Sequence, residues 1–262
     1  ITLERLRDER TAIELFEVAL DADAKNLGAA QALVRQLAGD PKRLLESLRP
    51  ALDSVASAGG AKDHIAYLGS EVGNAYLKLA HQEGDAARID YSPGIAAVRR
   101  VVESAPEDIG ALFLISRLYT AQGAWAEAKQ ALQRVVEIAG STDQKTRQRA
   151  LFALVDLYEG PMKDAKLAEA TLVSILGTEP SNKVALERLF AVASKSGDQK
   201  LARSALERLA EYETDLSQRA EYQLRVAEVC REANDGAGML KALSDAVVSL
   251  PSDLRAWNLL AR

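Results

Sequence analysis

Residues 109–140 read IGALFLISRLYTAQGAWAEAKQALQRVVEIAG. Leu112, Ile115, Ser116 and Tyr119 recur at spacings of three and four, which sets them on one face of a helix. Gly123 breaks that helix, and Trp125, Ala128, Leu132 and Val135 repeat the same spacing beyond it. Two amphipathic helices joined by so short a turn can bury their stripes only by folding back as an antiparallel pair. Ser116 and Ala128 are small enough for the two backbones to approach, while Tyr119 and Leu132 fill the space around them.

The pattern recurs along the chain. Pro106 and Pro180 lie 74 residues apart and Pro180 and Pro251 lie 71 apart, each about twice a period of 35–37. Gly123 and Gly197 are also 74 apart, in corresponding turns. Leu186, Leu189, Phe190 and Ala193 are followed by Ala202, Leu206 and Leu209; Leu151, Leu154, Val155 and Tyr158 by Ala168, Leu172 and Ile175. Val226, Ala227 and Cys230 precede Met239, Leu243 and Ala246, and Leu33, Val34 and Leu37 precede Leu44, Leu48 and Ala51 across a short Gly39-Asp40-Pro41 turn. Val72, Gly73 and Tyr76 are separated from Gly94, Val98 and Val101 by about nine inserted residues within GDAARIDYSP, 84–93.

The first helix of 109–140 resembles the W-x2-L-G-x2-Y pattern of tetratricopeptide repeats, and about six units in register carry the resemblance over nearly the whole chain. It implies an all-α fold, a right-handed α-solenoid or superhelix of stacked antiparallel hairpins. The repeats are expected at 25–58, 62–106, 107–140, 144–180, 181–214 and 215–251. Residues 1–24 read as the remnant of a further repeat, with Ala12, Phe16 and Ala19 on its second helix, and 252–262 as the start of another at Trp257. The opening at Ile1, with no initiator Met or signal peptide, is read as that of a fragment. Recurrent Gly and Pro breaks argue against a coiled coil; helical-hairpin solenoids with repeats near 40 residues compete only for 66–106.

Composition supports the class. Of 262 residues 48% are hydrophobic and 27% charged, which excludes wholesale disorder, and Ala, Leu, Arg and Glu favour helix. A net charge of −5 gives no sign of a nucleic-acid binder. No apolar run approaches the ~20 residues of a membrane span, and the chain is expected in the cytoplasm. The Ala- and Arg-rich composition suits a GC-rich bacterial genome. The lone Cys230 sits in a helix-packing slot, where it acts as a small hydrophobe. His64 and His81 form no metal-binding motif and read as solvated side chains. No phosphate loop or nucleophile–base pair is present, so neither an enzyme nor a cofactor is expected.

The resemblance instead implies a scaffold that binds a protein or peptide in a groove lined by the first helix of each repeat. Its inward positions fall at Gln31 and Arg35; Tyr67, Ser70 and Asn74; Phe113 and Arg117; Phe152 and Asp156; Glu187 and Arg188; and Arg225 and Glu228. Arg35, Tyr67, Asn74, Phe113, Arg117, Phe152, Asp156, Arg188 and Arg225 are the candidate contact residues, since aromatics and Arg most often anchor interfaces. Phe113 and Phe152 have a second reading, as fillers between repeats. The family's clamp for a terminal carboxylate is not expected, because Ser70, Gly110 and Leu114 occupy its basic positions. Ile89 and Tyr91 in the insertion make a second candidate surface, the alternative being a lengthened helix pair with no special role. Self-association, or regulation of an enzyme domain outside these residues, are the alternative roles.

Overall fold

The computed structural model describes residues 9–59, 61–84 and 88–261. Among them are fourteen helices and no strand: α1 (Glu9–Ala22), α2 (Leu27–Gln36), α3 (Pro41–Ser57), α4 (Lys62–Glu83), α5 (Ser92–Ser104), α6 (Ile109–Gln122) and α7 (Trp125–Ala139). The series continues with α8 (Gln144–Glu159), α9 (Ala165–Thr178), α10 (Lys183–Ser196), α11 (Gln199–Tyr212), α12 (Leu216–Glu232), α13 (Gly236–Ser249) and α14 (Leu254–Leu260). The proposed first-helix remnant before α1 falls largely outside the described residues.

Helix starts are fixed by side chains. Asn26, Asp108, Asp164, Asn182, Asp198 and Asp235 each accept a backbone N–H three residues on, satisfying a donor the helix itself cannot pair. Gly123 (φ 82°) and Gly197 (φ 81°) close α6 and α10 in the left-handed region, where a side chain would be strained. The 74-residue spacing of these glycines thus marks one turn used twice.

The chain divides into two compact units, Ile1–Ala150 and Leu151–Arg262. In the first, α4 packs against α3, α5 and α6. Leu33, Leu48, Leu68, Val72, Val98, Val101 and Leu118 have no exposed surface there. The α4–α5 contact is close because α4 carries glycine where the helices meet: a Cβ on Gly69 would lie 2.9 Å from the Ala97 carbonyl oxygen, and one on Gly73 would lie 2.4 Å from Val98. Arg43 ties α3 to α1, its fork donating to both Glu17 oxygens at 2.9 and 2.8 Å; this pairing holds the Glu17 carboxyl below its usual range.

The insertion departs from expectation. Tyr91 is not a surface residue: it is 1% exposed and belongs to the core, and Ile89 packs against that core half-buried. Tyr91 immediately precedes α5, and its ring is taken into the core instead of reaching into solvent.

In the second unit α10 pairs with α11 and α12 with α13, and α11 packs on α12. Leu172, Ile175, Leu186, Leu206 and Leu243 fill its interior. Cys230 is 1% exposed among them, as expected of a small hydrophobe, and burial pushes its thiol pKa up. Arg203 joins α11 to the α13 cap by donating to Asp235 at 2.6 Å.

Gly69→Ala is therefore expected to destabilise the protein by about 1–3 kcal/mol, since backbone must yield. Gly177→Ala, on an open face of α9 with no atom within 4 Å of the new Cβ, should stabilise it by about 0.5 kcal/mol. Chemical denaturation of both variants reads the two signs.

Candidate functional site

Once each helix has buried its apolar stripe, the remaining faces of α2, α4 and α6 carry Arg35, Asn74 and Arg117, with Tyr67 partly exposed beside them. Arg35 is exposed on α2, its Nε directed at the Gln31 carbonyl at 3.4 Å. Tyr67 is half-buried against the core, and desolvation, with Glu71 nearby, raises its phenol pKa against the opposing pull of Arg35. Glu71, one turn on, has its carboxyl pKa raised by burial, with Lys78 opposing.

Asn74 and Arg117 come together. They line one cleft of about 640 Å³ with Ala38, Leu77, Lys78, His81 and Gln82. Asn74, Lys78 and His81 share a face of α4 by their spacing, Arg117 reaches in from α6, and Ala38 closes the side at the α2–α3 turn. That turn is fixed to α4: Gln82 Nε2 donates to the Gly39 carbonyl at 3.0 Å, and Lys42 pairs with Glu83 at 2.7 Å. His81 is exposed. His64 is half-buried, with its Nε2 2.9 Å from the Lys25 carbonyl and its Nδ1 buried.

The aromatic candidates sit differently. Phe113 is 9% exposed and lies under the Arg149 guanidinium, 4.4 Å from ring centroid to carbon. In the second unit Arg188 lies 6.0 Å over the half-buried Phe152, pairs with Asp156 at 2.8 Å and also pairs with Glu159. Arg225, itself exposed, lies 5.9 Å over Phe190. The three Arg–Phe pairs are separated by 36, 36 and 35 residues, one repeat each. Each arginine thus covers a ring of the preceding repeat, a contact favourable by both charge and area. Arg149 and Phe190 were absent from the expected set; a search for Phe and Arg one period apart finds both.

Among the described residues no cluster of His, Cys, Asp or Glu is arranged to hold a metal ion, and no helix is long and apolar enough to cross a membrane.

No family model and no curated protein matches the sequence. Solved structures do resemble the fold. The C-terminal part of a TPR repeat-containing protein from Cytophaga hutchinsonii aligns over 98% of this chain and 96% of its own, at 14% identity and a TM-score of 0.56. A tetratricopeptide repeat protein from Parabacteroides merdae covers 99% of this chain and 93% of its own at 14% identity and a TM-score of 0.48. YrrB, described as a TPR protein with an unusual peptide-binding site, covers 72% and 91% at 13% identity and a TM-score of 0.42. The chain has the tetratricopeptide-repeat fold, as the Cytophaga structure establishes.

The Arg188 cluster should contribute to stability. Arg188→Ala is expected to cost about 1–2 kcal/mol in denaturant unfolding. Arg188→Lys should recover less than half of that, since an ammonium cannot serve two carboxylates and a ring face as a planar fork does.

Proposed function

We propose that the chain is a non-catalytic scaffold that binds a partner protein through the exposed residues of its first helices. The observation that carries this reading is the cleft shared by Asn74 and Arg117, two residues 43 positions apart in sequence. Hairpin packing does not require them to meet. Their side chains remain available where the apolar stripes of α4 and α6 are already engaged. A partner lying along α2, α4 and α6 would also meet Arg35 and the exposed edge of Tyr67. Recognition is then by shape and a few polar and aromatic anchors.

Arg35, Asn74 and Arg117 are the appropriate residues to truncate, since none is buried. Phe113 is not, because its removal would disturb the stack under Arg149. With Arg35, Asn74 and Arg117 all replaced by Ala, partner capture from extract of the source cells should fall about tenfold, corresponding to ~1.4 kcal/mol. Helicity and melting temperature should stay unchanged. Undiminished capture would remove this face from the reading.

A further inference from the structure

Several cations of the first unit are held by carboxylates: Arg43 holds Glu17 at 2.8 Å, Lys42 meets Glu83 at 2.7 Å and Arg100 meets Asp53 at 2.6 Å. Inside the cleft, neither Lys78 nor Arg117 has a hydrogen-bond or ion-pair partner among the described residues, and His81 lines the same space. Of the α4 acids, Glu71 lies two turns before Lys78 and feels its charge, and Glu83 is paired with Lys42; neither lines the cleft. Two cations on different helices therefore flank one cleft that no carboxylate lines.

The rest of the lining suits polypeptide. Leu77 and Ala38 offer apolar surface. Asn74 offers both a donor and an acceptor, and Gln82, whose amide nitrogen is bonded to Gly39, keeps its Oε1 as an acceptor. Alternating amide and apolar groups match a backbone with side chains, and about 640 Å³ exceeds the needs of one small anion.

We infer that this cleft accepts an acidic polypeptide segment, its side-chain carboxylates facing Lys78 and Arg117 and its backbone facing Asn74 and Gln82. The inference rests on the scaffold reading and names the chemistry of the partner. The carboxylates are those of internal Asp or Glu residues, because Ser70, Gly110 and Leu114 leave the clamp for a chain terminus without its basic groups. Opposite charge across such a site chiefly sets selectivity and encounter rate.

The probe is a short fluorescent peptide of alternating Glu and Ala with both termini capped, followed by fluorescence anisotropy. It should bind at least about tenfold more tightly than its Gln counterpart, and Lys78→Glu or Arg117→Glu should each weaken it about tenfold. Raising salt from roughly 0.05 to 0.5 M should weaken it further, as exposed charges are screened. Arg134→Glu, on the exposed face of α7, is the control and should leave binding unchanged. Equal binding of the Gln peptide, indifference to both charge reversals, or no binding of the Glu peptide would each overturn the inference. So would a clear preference for the same peptide with a free carboxyl end. If partner capture still depends on Arg35, Asn74 and Arg117 while the Glu peptide fails, the scaffold reading stands and only the acidic chemistry falls.

Discussion

A helix of 13 to 17 residues, the length of most of those here, is marginal alone in water, and a single hairpin leaves an apolar stripe uncovered on each side. Every helix pair in this chain is therefore stable only with a neighbour on it. The α4–α5 contact meets that constraint most tightly. Gly69 and Gly73 remove the side chains that would hold the helices apart, and Val98 and Val101 occupy the space. With α4 packed simultaneously on α3, α5 and α6, little of its surface is left free. What remains is one polar edge, and the cleft lies on that edge.

The same constraint explains the Arg–Phe pairs. A phenylalanine on the first helix of one repeat is only partly covered by its own hairpin. A long arginine from the next repeat completes the cover with its aliphatic stem and flat guanidinium while keeping its charge near water. Phe152 under Arg188 adds Asp156 and Glu159, so one side chain ties both a ring and two carboxylates of α8 to α10. Such contacts give an array its nearest-neighbour coupling, the quantity on which cooperative folding of repeat proteins depends.

Periodicity made the hairpins legible, because burial at every third or fourth residue is a local property of each helix. Leu112, Ile115, Ala128, Leu132 and Val135 are all buried where the spacing puts them. Contacts across repeats were less accessible. Arg149 and Phe190 each look ordinary within their own helix, and only the pairing one period away gives them a role. Tyr91 is a related case: an insertion has no repeat template to assign its residues to the core, yet the ring is buried there. The meeting of Asn74 with Arg117 depends on how two helices cross, which spacing within either helix does not specify.

Beyond the ion pairs, arginine thus has two further uses in this sequence, and composition cannot separate them. Arg149, Arg188 and Arg225 each find a phenylalanine one period earlier and fold onto it. One period before Arg117 stand His81 and Gln82, which offer no equivalent apolar ring face and which line the cleft with it. Without a ring to cover, Arg117 lines that cleft together with Lys78. A chain of net charge −5 consequently presents a locally positive site, and over a Debye length of about 8–10 Å the local arrangement, not the total, is what an approaching segment experiences.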